Sequence, residues 1–200
     1  DCLLSRGLGD VYKRQAMGLL AQEAAASPPG ARGLIVLPYF SGERTPLHDP
    51  HAKGMIFGLD LTHGRGDVYR ALIEGIAYGV RHILDTYDDA GARPDSLTAV
   101  GGGTRNPVWL QAVSDITGRS QSVRRHSFGA SYGNAFLAAV GVGDADAGDI
   151  DDWNPVARDI HPNAGLSSLY DAGSGTYRQL YARTKELMRA GETITGARRA

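Results

Sequence analysis

The stretch whose residue types and spacing best fit chemistry is Ala99-Val100-Gly101-Gly102-Gly103-Thr104-Arg105-Asn106-Pro107-Val108-Trp109, and that chemistry is the holding of an anion. Glycines without Cβ atoms let the backbone approach a phosphate closely and adopt φ > 0. Asn106-Pro107 opens an apolar helical pattern, so the layout is strand, glycine loop, helix N-terminus, with free N–H groups and the positive helix end facing one space. The dipole contributes only about 0.3–1 kcal/mol per charge at an exposed end. Most affinity must therefore come from aimed hydrogen bonds and other contacts. The spacing matches neither G-x-G-x-x-G nor the P-loop pattern, and a plain strand-to-helix turn would read the same way. Asn106, directly before Pro107 at the first helical position, is also a natural N-cap. A side chain that caps cannot fully read a base at the same time.

Other candidates are less specific. Glu43 and Arg44 sit in a long segment, Tyr39 to Lys53, that carries two prolines and alternating charges and reads as a long loop or a loosely paired hairpin. Arg44 could reach a phosphate or brace a domain interface through an internal ion pair, and the brace is the favoured reading. Asp49, Asp60 and Asp67 read as turn and cap residues. His48, His51 and His63 fit no common zinc spacing, so no metal site is expected. The basic cluster Arg119, Arg124, Arg125 and His126 reads as strand-end solvation.

The elements that must position these residues alternate. Met17–Ala26 reads as a helix end stopped by Ser27-Pro28-Pro29-Gly30, and Leu34–Leu37 and Gly54–Leu59 as short strands. From Asp67 to Tyr87, Val68, Leu72, Ile73, Ile76, Ala77, Val80, Ile83 and Leu84 form a wide helical stripe. Gly75 and Gly79 inside it cost about 1 kcal/mol each against alanine, which suggests close packing of another backbone. Leu97–Val100 and Ser120–Arg124 read as strands, Pro107 to Gly118 and Phe128–Val140 as helices, Asp144–Pro162 as a surface connection, and Ser168–Ala190 as a closing amphipathic helix. Strands alternating with helices predict an α/β sheet with helices packed on it.

Composition sets the frame. Two hundred residues at 42% hydrophobic suffice for one well-buried domain, and 21 basic against 22 acidic residues, a net charge of −1, give no global field toward nucleic acid or a membrane. Cys2 is the single cysteine, which excludes an internal disulfide. No apolar run reaches a membrane span and nothing resembles a signal peptide, so the cytoplasm is the default location. Residues 1–15 show no sustained period and read as a non-native or disordered leader, 16–190 as the domain, and 191–200 as a loose tail.

Four segments together resemble one family. Leu37–Gly54 (LPYFSGERTPLHDPHAKG), the pattern running from Gly54-Met55-Ile56-Phe57-Gly58-Leu59 through Asp67-Val68 to Ala71-Leu72-Ile73-Glu74, Gly101–Gly118 (GGGTRNPVWLQAVSDITG) and Ser127–Ala139 (SFGASYGNAFLAA) are similar in order and spacing to the C-terminal domain of the FGGY carbohydrate kinases, nearest to xylulokinase-like members. The resemblance implies an actin-like, ribonuclease H-like fold with a mixed sheet flanked by helices. It also implies ATP-dependent phosphoryl transfer to a hydroxyl of a xylulose-like ketose or related polyol. Gly101 and Gly102 would lie against the ribose and α-phosphate and Asn106 would face the adenine, with Gly103, Thr104 and Arg105 completing the loop. Gly129, with Ala130 and Gly133, would let a helix approach the nucleoside. The catalytic aspartate and main sugar-binding residues of the family lie upstream of the matching segment, so no catalytic base is assigned here. Mg2+ would arrive with ATP, held mainly by phosphates and residues outside this chain. A homodimer is expected only of a full-length protein, and neither nucleic acid nor a membrane is expected as a partner. A nucleotide-binding or interaction module of the same fold without kinase activity is the alternative.

Overall fold

The apolar stripe folds as one long helix whose packing organises the rest. In the computed structural model, which describes residues 16–126 and 129–195, this helix is α2, Arg65–Asp89. It follows a helix over residues 16–26 (α1) and two short strands, β1 (Ile35–Leu37) and β2 (Met55–Phe57). After it come β3 (Thr98–Ala99), α3 (Pro107–Thr117), β4 (Gln121–Arg124), α4 (Ala130–Val142), α5 (Ile150–Trp153), β5 (Val156–Ile160) and α6 (Ser167–Thr195). The leader expected over residues 1–15, the helix start expected at Phe128 and the last five tail residues lie outside the described residues.

Ala71, Ile73, Ala77, Tyr78 and Leu84 of α2 are buried, against β1 and α6. Each large apolar side chain so buried contributes about 1.5–3 kcal/mol before entropy. Gly75 is where another backbone comes closest: a Cβ there would overlap the Val36 carbonyl oxygen of β1. Gly79 faces a side chain instead, the Tyr177 hydroxyl, 3.4 Å from where its Cβ would stand.

A buried polar knot ties three segments together. Glu74, 1% exposed, accepts through Oε1 from the Gly30 amide (3.0 Å), Arg70 Nε (2.8 Å) and the Tyr170 hydroxyl (3.0 Å). Arg70 Nη1 in turn donates to the Ser27 carbonyl at 2.7 Å. Such a pair is worth keeping only because each charge meets several partners. Asp67 works as expected of a cap: it accepts from the Gly64 amide at 2.9 Å and the Ser27 hydroxyl at 2.6 Å. Those two bonds, outweighing its burial, hold its carboxyl below the usual carboxylate range.

Two small sheets form among the described residues. β1 and β2 pair antiparallel, and β3-β4-β5 is mixed, β3 and β4 parallel and β4 and β5 antiparallel. β5 and α5 fall within Asp144–Pro162, expected to be only a surface connection. β5 supplies backbone pairing rather than core, since four of its five residues are exposed, which is why no apolar period marks it. α6 continues to Thr195, past the expected boundary at Ala190. The parallel pairing has a functional consequence: the chain leaves β3 toward Gly101 and β4 toward Gly129 at the same sheet edge, where open α/β sheets bind ligands.

Candidate functional site

The glycine segment is a strained entry followed by a tight turn. Gly101 sits at φ 85°, ψ −170°, a region open essentially to glycine alone. Gly102–Arg105 then forms one 3-10 turn, with the Thr104 amide (3.2 Å) and hydroxyl (2.7 Å) donating to the Gly101 carbonyl and the Asn106 amide to that of Gly103 (3.0 Å). Thr104 is buried, and Arg158 of β5 donates to its carbonyl at 3.3 Å. The third strand of the sheet therefore holds the turn from behind.

Asn106 caps α3. Its Oδ1 accepts from the amides of Val108 (3.1 Å) and Trp109 (3.3 Å). This corrects the expectation that free helix amides face the ligand space, because two of them are already taken. The amides of Gly102 and Gly103, which precede the first hydrogen bond of the turn, are the ones positioned to meet an anion. Arg105 stands over them, its Nη2 3.6 Å from where a Gly102 Cβ would be.

A cavity of about 530 Å³ opens beside the turn. Gly102, Gly103, Arg105 and Asn106 form one wall, Tyr69 and Trp109 contribute aromatic surface, and Met17, Gly18 and Ala21 of α1 close another side. The Trp109 ring packs on the turn, 3.1 Å from the position of a Gly103 Cβ. No carboxylate lines the cavity. Gly101 and Thr104 shape the turn without lining it. Gly129 stands at the same sheet edge but outside the cavity, and nothing lies within 4 Å of a Cβ built there or at Gly133. Tyr69, Trp109 and α1 were missed as site residues. Trp109 reads in sequence as one more apolar helix position. Tyr69 carried a usable signal, an aromatic off the α2 stripe beside Val68.

The segment between β1 and β2 is a loosely paired hairpin. Glu43 and Asp49 exchange backbone hydrogen bonds of 2.9 and 2.7 Å, and Glu43 Oε1 accepts from the Thr45 amide at 3.1 Å. Arg44 is exposed and makes no ion pair among the described residues, so the expected internal brace is not an Arg44 contact. The brace is Asp49, 4% exposed, which accepts from the Tyr181 hydroxyl (2.8 Å) and the His51 amide (2.9 Å) and lies 3.5 Å from Arg189. Burial opposes its ionisation, but these partners outweigh burial and hold its carboxyl below the ordinary value of 3.8. Asp60 accepts from the amide (2.8 Å) and hydroxyl (2.7 Å) of Thr62, an Asx turn. Arg119 and Arg124 of the basic cluster are paired with Asp88 and Asp151. Among the described residues no group of three or more His, Cys, Asp or Glu side chains is placed to hold a metal, and no helix is long and apolar enough to cross a membrane.

Comparison with known proteins gives one answer. Residues 4–142 match the C-terminal domain of the FGGY family of carbohydrate kinases. A xylulose kinase of Staphylococcus epidermidis is 35% identical over 186 residues, covering 92% of this chain and 38% of that one. One from Escherichia coli K12 is 34% identical over 170 residues, covering 84% and 34%. The crystal structure of xylulose kinase from Rhodospirillum rubrum superposes with a TM-score of 0.77 at 34% identity, over 88% of this chain and 36% of that one. A Plasmodium falciparum glycerol kinase, solved with ADP, shares the fold at 24% identity and a TM-score of 0.70. The chain thus spans little more than a third of the length of these relatives. Their actin-like, ribonuclease H-like fold, with a mixed sheet flanked by helices, is also the fold of this chain. This chain belongs to the FGGY family of carbohydrate kinases and carries that family's C-terminal domain.

Proposed function

We propose that the chain is the nucleotide-holding part of a sugar kinase that transfers the γ-phosphate of ATP to a hydroxyl of a xylulose-like ketose or related polyol. The single observation that carries the nucleotide assignment is the cavity beside Gly102 and Gly103: two amides and the Arg105 guanidinium at one end, aromatic surface at the other, and no carboxylate among its lining residues. A nucleotide is anionic at one end and flat and aromatic at the other, and the cavity matches both. Its size lies in the usual range of about 300–1,000 Å³ for small-molecule sites. Gly101 and Thr104 set the turn, Gly102, Gly103 and Arg105 meet the ribose and phosphate side, and Asn106 faces the base. Gly129, at the adjacent strand end, borders the same crevice. Mg2+ accompanies ATP, held by phosphate oxygens and by groups outside this chain.

Phosphoryl transfer also needs charge neutralisation at the moving phosphate and a base on the acceptor hydroxyl. The cavity supplies donors and no carboxylate, so the base is assigned to a part of the kinase outside these residues. The exposed loop bearing Glu43 and Arg44 is assigned to the boundary with that part, with Arg44 free to pair across it. The relatives with which the chain shares about a third of its residues are xylulose kinases, which supports a cytoplasmic pentulose kinase. The test is calorimetry of the purified chain with MgATP, together with an assay for sugar-dependent ADP release. Saturable ATP binding without turnover is expected. Turnover with any pentulose or polyol would refute the placement of the base, and absence of binding would refute the site.

A further inference from the structure

The cap made by Asn106 restricts what that residue can say to a base. An asparagine amide offers one acceptor oxygen and two N–H donors. Here Oδ1 accepts from both the Val108 and Trp109 amides, and because both partners are donors the oxygen must be the atom at that position. Nδ2 makes no hydrogen bond among the described residues, is not a buried atom, and belongs to a side chain that lines the cavity. Asn106 can therefore act toward a ligand as a donor only. The other polar side chains of the wall are no more accepting: Arg105 has no acceptor, the Trp109 indole only donates, and Tyr69 brings the one hydroxyl.

Resting on the nucleotide assignment above, we infer that Asn106 is a specificity-determining residue that reads a ring nitrogen of the purine through Nδ2, and that the site does not read the 6-amino group. A donor cannot meet an amino group productively, whereas N1, N3 and N7 are acceptors. The site accordingly selects purine nucleotides by an acceptor nitrogen and by the aromatic faces of Tyr69 and Trp109, and tolerates loss of the 6-substituent.

The test pairs atom deletions in the ligand with a substitution that keeps the cap. Asn106→Asp retains a good N-cap oxygen and removes both donors, and Asn106→Ser does the same without adding charge. Calorimetry of the 200-residue chain with ATP, purine riboside triphosphate, and the 1-deaza, 3-deaza and 7-deaza analogues of ATP gives the affinities, and circular dichroism melting checks the cap. The native chain should bind purine riboside triphosphate within threefold of ATP. It should bind one deaza analogue about three- to tenfold more weakly, the worth of one neutral hydrogen bond. That deaza penalty should vanish in both variants while their melting temperatures stay near the native one. The inference is overturned if loss of the 6-amino group costs tenfold or more, or if every deaza analogue binds the native chain as ATP does. It is also overturned if the deaza penalty survives in both variants. If the native chain binds no nucleotide at all, the site assignment fails and this inference falls with it.

Discussion

Replacing Gly102 with valine should remove nucleotide binding and leave the fold in place. A Cβ at Gly102 would meet only Arg105 Nη2, at 3.6 Å, an ordinary contact with the mobile end of a long side chain. Nothing in the backbone has to move, since Gly102 lies inside the 3-10 turn and the strained position is Gly101. The branched side chain would instead project where an anion must approach the amides of Gly102 and Gly103. Hydrogen bonds to a charged group are worth about 1.5–3 kcal/mol each, so losing two costs about 3–6 kcal/mol, roughly two to four powers of ten in affinity. Calorimetry with MgATP measures the loss, and circular dichroism of the same sample shows whether the helices remain. An ATP affinity within threefold of native, in a variant with a native spectrum, would refute the assignment of those amides.

Further expectations concern the scaffold. Gly75→Ala places a methyl on the Val36 carbonyl oxygen, and overpacking of this kind should cost about 1–3 kcal/mol in urea unfolding. A native midpoint would show that α2 and β1 are not so closely apposed. Glu74→Ala leaves buried Arg70 uncompensated and frees the Gly30 amide and the Tyr170 hydroxyl, so a loss of about 3–5 kcal/mol is expected in the same measurement. Asp49 and Asp67 both have carboxyl pKa values held below 3.8, so their contribution to stability is complete above that pH. It is lost as pH falls through their folded-state values, because the unfolded chain then binds protons that the folded chain resists. Asp49→Asn should therefore make the acid limb of a melting temperature against pH plot shallower, and an unchanged limb would contradict the Tyr181 and Arg189 contacts.

Much of this was legible in the chain because local chemistry wrote it. The stripe of α2 follows from apolar spacing, Gly75 announced a close backbone approach by sitting at a cost inside a helix, and Asn106-Pro107 is a helix start in any context. What was not legible depended on distance along the chain. Asp49 is fixed by Tyr181 and Arg189, more than 130 residues away, so the brace could not be told from its neighbour Arg44. β5 pairs through its backbone with its side chains mostly in solvent, which leaves no period to read. The cavity depends on α1 meeting the glycine turn, and nothing in an alanine-rich helix end names its partner. The cap was weighed as a rival to base contact. The structure shows how the two coexist, since the cap uses only one end of the amide.

The most direct test of the nucleotide site uses the tryptophan built into it. The chain has two, Trp109 on the cavity wall and Trp153 packed on Phe136 with ring centroids 5.2 Å apart. In a Trp153→Phe variant the remaining emission reports on Trp109 alone. Titration with ADP or MgATP should shift or quench that emission saturably, with a dissociation constant matching calorimetry, and Gly102→Val should abolish the change. Calorimetric binding of nucleotide with Trp109 emission unmoved would place the ligand elsewhere and contradict the site.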